Sequence, residues 1–154
     1  MSQPAGVGAA ANQDLVTKVR LAKSILPQLI NSSPITGAAV DLAQFESATF
    51  LIEIGAPGDT LSGSVYQTWT ITECDSSGGS YTTVAAANLI DPDGVLASGT
   101  LVVDAAGEAS KVYQFGYTGG KRYVKIVCTP TGTHTVGTIC AASVLKGHAR
   151  VNPA

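Results

Sequence analysis

Residues 117–153 read YTGGKRYVKIVCTPTGTHTVGTICAASVLKGHARVNP, and their pattern decides the fold class. Over residues 122–129 apolar side chains recur at every second position. Val124, Ile126 and Cys128 fall on one face, and Tyr123 and Val127 on the other. The TPTGTH segment is a turn, and residues 135–145 resume the same β-branched, apolar pattern. The stretch reads as two long strands joined by a tight turn, the closing hairpin of a β-sandwich.

The same signal extends backwards through the chain. Residues 48–54, ATFLIEI, set Phe50, Ile52 and Ile54 against Thr49, Leu51 and Glu53. In residues 65–74, Trp69 and Ile71 alternate with Thr68, Thr70 and Thr72, as a half-buried antiparallel strand requires. DSSGG at 75–79 is a turn, so 65–86 reads as a hairpin. DPDG at 91–94 is another turn, because Pro presets φ and Gly accepts positive φ. Residues 39–42, 100–103 and 111–117 complete a set of about eight short strands with no helical period between them. That spacing predicts an all-β protein: an antiparallel β-sandwich or jelly-roll-like barrel over residues 33–154.

The N-terminal 32 residues differ. MSQPAGVGAAANQD is small and polar and is expected to form a flexible arm. Asn12 or Asp14 could cap a short helix ended by Pro27; alternatively residues 21–30 run extended along a neighbouring molecule. In either form Leu15, Arg20, Leu21 and Ile25 are the candidate partner contacts. The N-terminus lacks a basic segment followed by an apolar one, so no signal peptide is expected. No run of about 18 apolar residues predicts a membrane helix.

Composition narrows the function. A chain of 154 residues, 45% hydrophobic, fits one domain with a real core. Only 13% of residues are charged, about half the usual share. A surface resting on hydroxyls more than charges is poorly protected against association, so partners or further copies are expected to cover part of it. Net charge is −2, without the basic footprint that releases counterions from phosphates, so nucleic acid is not an expected partner.

No constellation of residues points to chemistry. Cys74, Cys128 and Cys140 lack zinc-site spacing and read as small buried hydrophobes, with a Cys128–Cys140 bridge left open. His134 and His148 are the only histidines. His134 reads as a solvated turn residue; His148 lies near the C-terminus beside Arg150, where contact with a partner is the alternative to a plain surface residue. The carboxylates fall mostly at turns, where Asp bonds its own backbone. The expectation is a protein without catalytic residues, metal or cofactor.

Three segments, in order, carry a resemblance: TGAAVDLAQFES at 36–47, ECDSSGGSYTTVAAANL at 73–89, and 116–153 with GYTGGKRYVKIV and the terminal GHAR. Together they resemble a family of small tailed-phage and prophage virion proteins found with head-morphogenesis genes. The resemblance implies a capsid decoration or cement protein on the outer shell of a virion. It would bind the major capsid protein and copies of itself, with a trimer the first expectation. A head-completion or tail component, and a glycan-binding adsorption module, are the alternatives.

Overall fold

The structure is a computed structural model that describes Val16 and residues 18–150. Two antiparallel sheets pack face to face. The first has the order β1 (Arg20–Ile30), β12 (Thr138–Ala149), β4 (Phe45–Pro57), β10 (Lys111–Tyr117) and β7 (Leu89–Ile90). The second runs β2 (Ile35–Thr36), β11 (Tyr123–Thr131), β5 (Tyr66–Cys74), β9 (Thr100–Val103) and β8 (Leu96–Ala97). β3 (Val40–Asp41) extends the β2 edge on β11, and β6 (Thr82–Thr83) pairs with β5.

The pairing has a simple logic. β1 pairs with β12, β2 and β3 with β11, β4 with β10, and β5 with β9. That is one long hairpin folded back on itself and then rolled, so that β12 also meets β4 and β11 also meets β5. Taking β2 and β3 as one broken strand leaves eight principal strands, the jelly-roll arrangement. β6, β7 and β8 are two-residue additions.

The alternation read from sequence is what fills the core. Phe50, Ile52 and Ile54 from β4 meet Trp69 and Ile71 from β5 and Val124, Ile126 and Cys128 from β11, all buried. Phe50 packs edge-on against Tyr117 at 5.8 Å between ring centres. Burying each large apolar side chain contributes roughly 1.5–3 kcal/mol. The 65–86 hairpin forms as expected, with Thr72 opposite Thr83 and Glu73 opposite Thr82.

Two expectations are corrected. β11 and β12 are not a hairpin: β11 pairs within the second sheet and β12 within the first, and residues 132–137 cross between the sheets. Alternation identifies a strand without naming its partner. Gly132 makes the crossing possible, at φ 82 and so close to Ser64 that a Cβ would collide with its carbonyl oxygen. His134 is not solvated but only 3% exposed. Its Nε2 lies 3.1 Å from the Thr131 carbonyl oxygen and 3.3 Å from that of Tyr66, so this nitrogen carries the proton.

The N-terminal reading also differs over residues 20–30. This segment is neither helix nor free arm but an edge strand on β12, with Ile25 and Ile30 in the core. Pro27 does not end it: the register shifts between Ile25 and Gln28, and the bulge accommodates the residue that cannot donate. Ser24 ties the strand to the second sheet. Its carbonyl accepts the Ala38 N–H at 2.8 Å, and its Oγ accepts the Ile126 N–H at 3.3 Å. Gly37 passes so close that a Cβ there would collide with Ser24 Oγ.

Candidate protein-binding surface

The outer faces of the two sheets differ chemically. On the second sheet, Thr68, Thr70 and Thr72 of β5 lie beside Thr129, Val127 and Lys125 of β11, and Val102 of β9 lies opposite Thr68, a mainly hydroxylated surface of the kind expected of a solvated antiparallel face. The first sheet is unlike it. Leu21 stands opposite Leu145, and Leu29 opposite Ile139. Leu51 stands opposite Ser143. Val112 flanks Glu53 from β10, and the Ile90 side chain lies over Gly116.

Exposure makes this face unusual. Leu21 is 65% exposed, Leu29 51%, Val112 58% and Ile139 63%. Single exposed aliphatics are ordinary, but several on one face mark a candidate interaction surface; here they form two groups, Leu21 with Leu145 and Leu29 with Ile139 and Val112, parted by Lys23, Ser143 and Gln114. Between β1, β12, β4 and β10 the face dips into a shallow groove of about 350 Å³ lined by Pro27, Gly55, Val112, Ile139 and Ala141. Glu53 and Lys111 sit at its margin.

The four candidate contacts separate. Leu21 belongs to this face, and Arg20 begins β1 opposite Lys146. Ile25 points into the core at 2% exposure and takes no part in a surface. Leu15 lies outside the described residues. Sequence reasoning missed Leu29, Ile139, Val112 and Ile90. Their signal was present as apolar residues on the face opposite the core, legible only once the core face of each strand is known.

A second concavity, of about 450 Å³, opens at the end of the sandwich where β10 leads into β11. Phe45, Gly119, Gly120, Arg122 and Arg150 line it. Arg122 makes a two-pronged bond to Asp41, at 2.9 and 2.8 Å, and this guanidinium is the main cause holding the Asp41 carboxyl down at about 2. Lys121 pairs with Asp75 and Arg150 with Glu46. Beneath them the Tyr117 hydroxyl donates to the buried Glu73 carboxylate. Burial is the main cause that pushes the phenol far up, and the bond to Glu73 adds to it.

Ser47 Oγ lies 2.7 Å from His148 Nδ1 at the same end. No carboxylate among the described residues bonds the far side of that exposed ring to orient it, so a triad is not assembled. No group of three or more His, Cys, Asp or Glu among the described residues is arranged around a possible metal ion. All three cysteines are free, Cys128 and Cys140 included. No helix among the described residues is long and apolar enough to cross a membrane.

No known family profile and no curated protein sequence matches the chain. Among solved structures it is similar to YomS, a protein derived from the SPBc2 prophage. The TM-score is 0.52 at 12% identity, over 88% of this chain and 100% of that one. The two share a fold. A structure from Bacillus endospore appendages, described as a novel family of disulfide-linked pili, aligns with a TM-score of 0.43 at 14% identity, over 86% of this chain and 89% of that one. That likeness is too distant to carry an argument.

Proposed function

We propose that this chain is a structural subunit of a tailed-phage virion. It docks by the outer face of the β1–β12–β4–β10 sheet onto the major capsid protein lattice and cements the shell from outside. The observation that carries this reading is the apolar outer face of one sheet set against the hydroxylated outer face of the other. A rigid jelly roll with one sticky side suits a clamp laid across the joint between shell subunits. The resemblance of residues 36–47, 73–89 and 116–153 to small virion proteins supports the reading, as does a fold shared with a prophage-derived protein. On a shell, copies of the subunit meet one another, with a trimer the first expectation. Each contact can be weak, because a lattice presents many coupled sites.

The test is binding to purified shells lacking the protein. Leu29→Asp with Ile139→Asp places two carboxylates on the apolar face at exposed positions, and far-UV circular dichroism checks that the fold survives them. Affinity should fall at least about tenfold, the equivalent of about 1.4 kcal/mol. Thr129→Asp, on the opposite face, should bind as the parent does. Equal binding by the double variant would refute the docking face. A virion copy number near six or twelve would instead assign the protein to a portal or tail ring.

A further inference from the structure

The charges of the molecule are sorted along its long axis. At the end where β10 leads into β11 and β12 finishes stand Lys18, Arg20, Lys121, Arg122, Lys146 and Arg150, six of the nine Lys and Arg of the chain. Among the described residues four carboxylates share that end, Asp41, Glu46, Glu73 and Asp75, against those six cationic side chains. At the other end, the loops after β4, β7 and β9 carry Asp59, Asp91, Asp93, Asp104 and Glu108. Lys111 is their one cationic Lys or Arg neighbour there among the described residues.

Only part of this sorting serves the fold. Asp59 and Glu108 spend their carboxylates on backbone N–H groups, at Thr135–Gly137 and at Asp104–Ala105. Asp93 has no such task and is exposed on its turn. The two ends also differ in shape. The positive end is concave, with Phe45 and the backbone of Gly119–Gly120 flooring the 450 Å³ pocket and Arg150 at its rim. At the negative end, the 91–95 turn presents Asp93 beside Val95, an acid and an aliphatic side chain both open to solvent.

We infer that two copies of this chain associate head to tail, the acidic end of one seated on the basic, concave end of the next. The occupant is a second copy because the complementary charges lie at opposite ends of the same molecule. Such a contact is heterologous: each copy leaves one basic and one acidic end unused. It therefore closes into a ring or propagates as a row. The outer face of the first sheet stays free, so this contact and shell docking can coexist.

Sedimentation velocity on the intact chain tests this. At about 0.01 M salt, where the Debye length is about 30 Å, species larger than a monomer should grow with protein concentration. At about 1 M salt, where it is about 3 Å, they should dissolve. Asp93→Lys with Asp104→Lys abolishes the negative charge of the acidic end, and Lys121→Glu with Arg150→Glu makes both ends acidic. Each double variant alone should stay monomeric at low salt, while their equimolar mixture should associate again. Far-UV circular dichroism confirms that each remains folded. Should one unfold, the salt dependence of the parent still decides. A monomer at every salt concentration, a salt-insensitive oligomer, or a mixture that does not recover association would each overturn the proposal. None of these variants touches the shell-docking face, so failure here leaves the proposed function standing.

Discussion

Asp59 shows how much one side chain can organise. Its two oxygens accept the N–H groups of Thr135, Val136 and Gly137, the last at 2.6 Å, and so hold the crossing from β11 to β12. Those bonds, led by Gly137, keep its carboxyl below the usual carboxylate range. Asp41 is lowered too, chiefly by Arg122. A carboxyl lowered in the folded state stabilises it fully above the unfolded value of about 3.9. The contribution is lost as pH falls below that value, for Asp41 on the way down to about 2. The melting temperature should therefore be level from pH 7 to about 5 and drop steeply between about 4 and 2. Asp59→Asn should melt lower than the parent at pH 7 and show a shallower acid drop. Equal melting temperatures at pH 7 would deny Asp59 this role. Its position in a GAPGD loop announced a turn residue. Nothing in the sequence announced that the amides it holds lie about 75 residues onward.

Among the elements, β1 departs most from its sequence. Pro27 and the spacing of Leu21, Ile25 and Ile30 fit neither a regular helix nor a regular strand, because the strand is interrupted by a bulge. Alternation is readable only where the register is continuous. β9 and β10 were legible to the residue, since nothing breaks their period. The outward face of the candidate docking surface was hidden for a related reason: exposed and buried aliphatics look alike until the core face is known. Removing residues 1–19 keeps the whole pairing of β1 with β12, which starts at Arg20. Removing residues 1–31 should destabilise the domain strongly, since Ile25 and Ile30 each lose roughly 1.5–3 kcal/mol of burial. Denaturant unfolding of both truncations gives the comparison, and a stable domain without β1 would show the strand to be dispensable.

At the scale of the whole molecule, cooperativity follows from topology. The first strand pairs with the last, and the first sheet, which closes one side of the core, is not complete until β12 has been placed. Cys128 and Cys140, both buried, report on this directly. Burial pushes both thiols up, Cys140 to about 11 and Cys128 further, so native thiolate is scarce at neutral pH. A thiol reagent should label Cys74, at the end of β5 and partly exposed, well before the other two. Cys128 and Cys140 should then react together, at a rate that rises with denaturant in step with global unfolding. Early labelling of either one alone would reveal partial opening of one sheet. The sandwich itself was legible from alternation and turn chemistry. The strand order was not, because it depends on contacts between residues far apart in the chain.

The antiparallel pairing of β1 with β12 has a mechanical side. Arg20 lies opposite Lys146, so the chain enters β1 and nears its exit from β12 at the same end of the sandwich. A pull applied across those two points would load the hydrogen bonds of the pair one after another, as in peeling, and would meet little resistance. A pull spread over the flat face of the sheet would load many bonds in parallel. A subunit of this build holds firm when gripped by its face and opens easily when tugged by its two tails.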